Sequence, residues 1–383
     1  VSYRLVKSKF LMYQIPLSPY SEKLYRSWKN NPDNISSIVV SDKYIEGKLD
    51  IQNLNNSLER FIRDHILFNS HIESILGKLY WVKNSIISKI DYFKTPLSNK
   101  EIFIYIKKFF NLEKGPLYRN AVIRINANKY RIIALMHHTI INGITADYFL
   151  KELSNYYNDE SYTVELSSNL QLLRLNNLFN EMSENIRINK HKYEAFWKEK
   201  LSDTEAVSLD FLKICKRERL VNSSRGLNLP MDQITRVGEI RFNFGKDVLL
   251  KLSKLRKKYK TTPYLFGQNI YAILINLYTG KNKFCINYSV SIAKSLKFIY
   301  GAQINTSLIP YDFNKIDNVI EIIEQSRDFN RTLKKNEIKY SDFPINFLLP
   351  LFNNQNLLTA SFDQAFVRIK SIEFANLKTF INY

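Results

Sequence analysis

The stretch that decides the fold covers residues 117–153 and reads LYRNAVIRINANKYRIIALMHHTIINGITADYFLKEL. Two apolar runs flank an Asn-Ala-Asn turn at 126–128, which is typical of two strands joined as a hairpin. The second run ends in two adjacent histidines, His137 and His138, and the chain turns helical after Gly143. The stretch therefore predicts a hairpin and then a helix, with a histidine pair at the turn between them.

The rest of the chain alternates in the same way, so we expect an α+β protein. Helices are predicted at 18–31, 50–65, 144–158, 170–203, 246–260, 263–279 and 318–336. Strands are predicted at 34–47, 238–245, 283–292 and 302–313, and a surface loop at 216–233. We expect two lobes, 1–175 with the histidine pair and 176–383, with either a complete or a truncated end to the second lobe.

Composition allows a substantial core but leaves the partner open. The chain has 383 residues, 45% hydrophobic, and a net charge of +20. A basic surface can attract nucleic acid, an anionic membrane or an acidic protein. Alternatively, the charge reflects a general bias towards Lys, Asn and Ile. The lysines are scattered and no nucleic-acid signature accompanies them, so we expect no nucleic-acid partner.

The cysteines and the hydropathy pattern favour a cytoplasmic protein without a metal. Cys215 and Cys285 form no CxxC pair, which argues against a zinc site and a disulfide framework. No segment has ~18 consecutive apolar residues, so no membrane span is predicted. The first residues lack a clear signal-peptide shape.

The histidine pair has two interpretations. In an extended strand the two side chains point to opposite faces, so one can pack inside while the other faces a cleft. The helix N-terminus that follows presents free N–H groups, a combination that suits a base or proton shuttle beside an oxyanion. Alternatively, both histidines are hydrogen-bonded core residues. A metal site is less favoured, because adjacent strand histidines diverge and no HExxH spacing occurs.

The motif HHTIING (137–143) resembles HHxxxDG, the signature of the condensation domains of nonribosomal peptide synthetases in the chloramphenicol-acetyltransferase-like superfamily. Seven further segments resemble that family in the same order. They are LSPYSEKLYRSW (17–28), RDHILFNSHIES (63–74), FNLEKGPLYRNAVIRI (110–125), FWKEKLSD (196–203), TTPYLFGQNIYAILINLYTG (261–280), YGAQINTSLIP (300–310) and YSDFPINFLL (340–349).

The resemblance implies two chloramphenicol-acetyltransferase-like lobes in a V with a central tunnel. Carrier proteins would present donor and acceptor on phosphopantetheine arms, with no cofactor bound directly, and adenylation domains or other synthetase modules are further expected partners. His138 would act mid-tunnel as a base or positioning group, Gly143 would supply an N–H to the oxyanion, and His137 would be structural.

Asn142 departs from the family pattern. The family's aspartate at this position pairs with an arginine that aligns with Asn69, so both partners are neutral here. Replacing both avoids a stranded buried charge. We expect a hydrogen bond between Asn142 and Asn69 to support the catalytic loop instead. The tunnel-lining candidates are Ser289, Ser291, Asn305 and Thr306.

Three functions follow as hypotheses. The first is an acyltransferase that joins a carrier-bound acyl or peptidyl group to an amine or hydroxyl, giving an amide or ester in natural-product biosynthesis. The second is a catalytically inactive condensation-like domain that recruits a carrier or tailoring partner. The third is a basic nucleic-acid-binding protein, which only the net charge favours.

Overall fold

The computed structural model describes residues 14–33, 35–84, 86–205, 207, 245–291, 299–302, 304–335, 360–362, 373–374 and 377–380. The helices in these ranges are α1 Pro19–Asn30, α2 Ile51–Asp64, α3 Asn99–Lys107, α4 Gly143–Asn158, α5 Ser168–Leu201, α6 Lys246–Lys258, α7 Pro263–Thr279 and α8 Val319–Lys335. The strands are β1 Ile15–Pro16, β2 Ile38–Glu46, β3 Ser70–Ile75, β4 Lys78–Lys83, β5 Asp91–Phe93, β6 Tyr118–Asn126, β7 Lys129–His137, β8 Lys283–Ser291, β9 Ile304–Asp312, β10 Ala360–Phe362, β11 Glu373–Phe374 and β12 Leu377–Phe380.

The predicted hairpin forms the centre of the largest sheet. Strands β6 and β7 pair antiparallel, with Ala121 opposite Ile133, and β2 pairs antiparallel with the other edge of β7. The six-stranded order is β11-β12-β2-β7-β6-β5. Because β7 has a neighbour on each side, its ladder groups are hydrogen-bonded, and the apolar run from Ile132 to Met136 is buried. This strand ends at the buried His137, and His138 follows it.

Sequence signals set the helix boundaries as predicted. The Ser18 side chain accepts a hydrogen bond from Ser21 N–H and Pro19 is the first residue of α1, while Asp50 caps α2. Thr262 caps α7, and Gly280 ends it with φ 66°, a left-handed conformation that glycine adopts without steric penalty.

Two hydrophobic clusters divide the described residues. The N-terminal core contains buried residues from Ile15 to Met182, and Ile299 and Tyr300 join it. The C-terminal core runs from Tyr193 to Leu333 and surrounds β8 and β9. Helix α5 passes through residue 175 without a break and contributes to both cores.

Two segments of the second half pack with the first. Residues 299–302, the bridging segment, carry Ile299 and Tyr300 into the N-terminal core. Strand β12 extends the large sheet by pairing antiparallel with β2. The division into 1–175 and 176–383 stays a prediction. At both places, residues from after position 176 pack with the first lobe.

The sequence prediction missed the β3–β4 hairpin and helix α3. Leu76 and Gly77 connect the two strands, and both have positive φ (50° and 77°), as a type I′ turn requires. Leucine is unusual at such a position, so the usual Asn-Gly signal is absent. Helix α3 begins at a capping box between Ser98 and Glu101, and this local signal is present in the sequence. The loop predicted at 216–233 and the strand predicted at 238–245 lie outside the described residues.

Candidate active site

The two histidines stand at a tight turn after β7. His137 is the last residue of the strand, and its N–H donates to Leu117 O at 2.9 Å. The next N–H, of His138, donates to Ser37 O at 2.7 Å, and Ile140 N–H closes the turn on His137 O at 3.0 Å. We call residues 137–143 the catalytic turn, after the catalytic function that the sequence predicts for them. Its backbone is hydrogen-bonded to both flanking segments, at Leu117 and Ser37. These bonds fix the path of the chain as it leaves β7.

His137 lies inside the N-terminal core and has only 4% of its surface exposed. Its Nδ1 accepts a hydrogen bond from the Thr139 N–H at 3.3 Å and lies 2.9 Å from Thr139 Oγ1. Burial, and to a lesser extent the neighbouring His138, lower the pKa of His137 to about 3. A neutral buried imidazole that accepts from its own turn suits a structural function, and that function of His137 stays a prediction.

His138 is more exposed than His137 and lies beyond the end of the strand. The ring of Tyr20, from α1, meets its imidazole edge-on with the ring centroids 5.6 Å apart. Tyr20 belongs to the segment LSPYSEKLYRSW (17–28), in which the sequence predicts a helix but no site residue. No spacing rule could have found it, because Tyr20 and His138 are 118 positions apart along the chain.

Asn142 caps helix α4. Its Oδ1 accepts from Thr145 N–H at 2.9 Å, and Thr145 Oγ1 accepts from Asn142 N–H at 2.9 Å, which completes a reciprocal capping box. The Asn142 Nδ2 group donates to Gly301 O at 3.4 Å. Both functions of the amide are therefore in use, one in the turn and one towards the bridging segment.

The predicted hydrogen bond between Asn142 and Asn69 is not formed, and that prediction was wrong. The buried Oδ1 of Asn69 has no hydrogen-bond partner among the described residues. Asn142 turns instead to Thr145 and Gly301, because a helix cap needs the acceptor close to the first turn of its own helix. Any contribution of Asn69 to the turn stays a prediction.

Gly143 is the first residue of α4. An N–H at this position has no intrahelical acceptor, and the helix dipole makes the region favourable for negative charge. The arrangement can therefore place an imidazole and a backbone donor on one short turn, which suits chemistry that develops an oxyanion.

The remaining site candidates belong to the second half of the chain. Ser289 and Ser291 lie on β8 and Asn305 and Thr306 on β9, with Ser289 paired opposite Thr306. This places all four on two adjacent strands. Whether they line a tunnel stays a prediction.

Metal and membrane features are both lacking in the described part of the chain. There, no group of three or more His, Cys, Asp or Glu residues could hold a metal ion. Among the helices of these same ranges, none has the length and apolar character needed to cross a bilayer.

Comparison with known proteins places this chain in a family. The sequence model of a protein family, the condensation domain, matches residues 13–360 of this chain. Surfactin synthase subunit 2 of Bacillus subtilis is 25% identical over 352 residues, which cover 90% of this chain and 9% of the relative. Gramicidin S synthase 2 of Aneurinibacillus migulanus is 21% identical over 381 residues, covering 94% of this chain and 8% of the relative. The chain thus spans less than a tenth of the length of these relatives.

Solved structures share the fold. The first condensation domain of the CDA synthetase superposes with a TM-score of 0.70 at 12% identity, covering 96% of this chain and 85% of that chain. The X-domain from teicoplanin biosynthesis gives a TM-score of 0.73 at 12% identity, covering 97% and 82%. With a family match across most of its length and the same α+β fold, this chain belongs to the condensation-domain family of nonribosomal peptide synthetases.

Proposed function

We propose that this domain is an active acyltransferase that joins a carrier-bound acyl or peptidyl thioester to an amine or hydroxyl acceptor. The observation that carries the proposal is the catalytic turn. It places the partly exposed His138 one residue beyond β7 and begins α4 at Gly143. The turn thus keeps the two groups that the acyltransferase hypothesis needs.

The proposed reaction uses His138 to manage the acceptor's proton. The acceptor nitrogen or oxygen forms a bond to the thioester carbon, and its proton passes to the His138 imidazole. The carbon–sulfur bond then breaks, and the departing thiolate takes up the proton. The low pKa of the neighbouring His137 keeps that ring neutral, so it places no second positive charge beside His138.

The developing oxyanion is proposed to lie near the N-terminus of α4. The N–H of Gly143 is the donor that we assign, supported by its position as the first helical residue. The Asn142 cap supports this assignment, because its reciprocal bonds with Thr145 hold the first turn of the helix. Helix α4 thus begins at Gly143 with a neutral cap, in place of the Asp–Arg ion pair of the family pattern.

The proposed substrates are acyl or peptidyl groups on the phosphopantetheine arm of a carrier protein, for both donor and acceptor. The relatives supporting this are long peptide synthetases, so adenylation and carrier domains are the proposed working partners. The basic surface, with a net charge of +20, would favour the approach of acidic carriers.

The test is transfer between a loaded donor carrier and a loaded acceptor carrier, followed by mass spectrometry of the acceptor. His138→Ala should lower the transfer rate by about 10²- to 10⁴-fold, the usual contribution of a positioned base. His191→Ala is the matched control, because this side chain is 98% exposed. Carrier binding without any transfer by the unaltered chain would refute the proposal and favour a recruiting domain.

A further inference from the structure

The bridging segment contacts the catalytic turn at two points. The Ala302 N–H donates to Thr139 O at 3.2 Å, and Gly301 O accepts from Asn142 Nδ2 at 3.4 Å. Gly301 and Asn142 are 159 positions apart in the sequence. One contact reaches the residue after His138, and the other reaches the cap of α4. A displacement of the bridging segment would therefore alter the contacts of the catalytic turn at Thr139 and at Asn142.

Tyr300 anchors the bridging segment. Its ring has 4% exposure and lies edge-on to His65, with centroids 4.7 Å apart, and to Phe61 and Phe68 at 5.4 and 5.2 Å. Its hydroxyl donates to Glu152 Oε2 at 2.6 Å. A buried ring and a short bond to a carboxylate together hold the segment at one place on the N-terminal core.

Glu152 connects this anchor back to the site. It lies on α4, the helix that begins at Gly143, and its other oxygen is 3.4 Å from Nε2 of the buried His65. Burial and the adjacent Glu152 carboxylate raise the pKa of Tyr300 well above its ordinary value, so the phenol stays a donor. The bridging segment thus contacts α4 at Glu152 and the catalytic turn at Thr139 and Asn142.

We propose that Tyr300 is a positioning residue for acyl transfer: by anchoring the bridging segment on Glu152, it holds Gly301 and Ala302 against the catalytic turn. This inference rests on the proposed function. The two contacts restrain the turn on either side of His138 and so set the imidazole relative to the start of α4. Small displacements of a catalytic group lower the rate steeply, whereas substrate binding at a distance is unaffected.

The experiment compares Tyr300→Phe with Tyr278→Phe in the full chain. Phe keeps the ring among its aromatic neighbours and removes only the hydroxyl bonded to Glu152. Tyr278 is the matched control, since it is 64% exposed on α7. In Tyr300→Phe we expect kcat to fall about tenfold with KM within about twofold, and the Ala302 amide to exchange with deuterium faster. The control should leave all three unchanged.

A second pair tests the same contact from the other partner. Glu152→Gln keeps an acceptor for the Tyr300 hydroxyl, whereas Glu152→Ala removes it. We expect the Gln variant to retain most of the rate and the Ala variant to match Tyr300→Phe. This pair still decides the question if Tyr300→Phe does not fold.

The outcomes separate the two proposals. Unchanged kcat and unchanged Ala302 exchange in both Tyr300→Phe and Glu152→Ala would overturn the positioning role and leave the acyltransferase proposal standing. An unaltered chain that transfers nothing would overturn the acyltransferase proposal, and faster Ala302 exchange in Tyr300→Phe would then show that the anchor exists without serving this reaction.

Discussion

The ring of Tyr20 lies edge-on against the imidazole of His138, with centroids 5.6 Å apart and planes inclined at 63°. Such edge contacts stabilise a side chain in one orientation. Tyr20 is in the first turn of α1, so the helix at the start of the described chain meets the end of β7 at the candidate catalytic residue.

The first prediction concerns this contact. Tyr20→Ala removes the ring and frees the His138 imidazole to turn, so we expect kcat to fall by about tenfold. Tyr20→Phe keeps the ring and should stay closer to the unaltered rate. Steady-state transfer kinetics check this, and an equal rate in all three proteins would show that the ring does not orient His138.

The second prediction separates the two functions of Asn142. Asn142→Asp keeps an oxygen that can cap α4, but it replaces the N–H donor to Gly301 O with a second carboxylate oxygen. Because residue 142 is only 5% exposed, that carboxylate would be buried. Asn142→Ala loses the cap as well. We expect the Ala variant to lose about 1 kcal/mol from the missing cap, and the Asp variant to lose more, about 3 kcal/mol, from an unpaired buried charge.

Urea unfolding of both variants measures these losses. Asn142→Ser is the control, because a serine can cap the helix without introducing a charge. An Asp variant as stable as the Ser variant would mean that the carboxylate finds a partner.

The third prediction is a pH dependence of stability that originates at His137. Its pKa is about 3 in the folded chain, below the ~6.5 of an unfolded histidine, so folding excludes the proton. The stability contribution is complete above about pH 6.5 and is lost as the pH falls towards 3, with a loss of about 2 kcal/mol at pH 5.

Denaturant unfolding at pH 5 and pH 8 checks the slope. His137→Gln should show a smaller loss between these pH values than the unaltered chain. His191→Gln removes an exposed histidine and should keep the full loss. If His137→Gln had the same pH slope as the control, His137 would not be the group responsible.

The fourth prediction concerns the β3–β4 turn. Leu76 is 100% exposed and has φ 50°, a conformation that asparagine adopts more readily than leucine. Leu76→Asn should therefore raise the free energy of unfolding by about 1 kcal/mol. The control is Leu277→Asn, a 71% exposed leucine inside α7, where asparagine is a poorer helix former and should lower stability. Thermal unfolding distinguishes a gain at Leu76 from no change.

Much of the local structure could be predicted from the sequence. The β6–β7 hairpin and the predicted helices at 18–31, 50–65 and 263–279 are confirmed. Their boundaries depend on residues a few positions apart, with caps at Ser18, Asp50 and Thr262 and the end of α7 at Gly280. The family was also identified correctly from motif order, and the model match over residues 13–360 confirms it.

The contacts of Asn142 show where prediction from the sequence failed. Its capping partner, Thr145, is three residues away and could have been recognised as the second member of a capping box. Its other partner, Gly301, is on a segment of the second half of the chain, and no local pattern indicates that meeting. The expected Asn69 contact was carried over from an ion pair, whose long-range attraction two neutral amides do not share.

The sequence by itself determined the strand that ends in His137, the turn that follows and the helix that begins at Gly143, because hydrophobic periodicity and capping act over one or two turns of chain. Only the tertiary structure decided what surrounds that turn. Tyr20 on α1 reaches His138 at the end of β7, across 118 positions of sequence. Tyr300 brings Gly301 and Ala302 onto the catalytic turn, because burial of its ring in the N-terminal core brings together residues that are far apart along the chain.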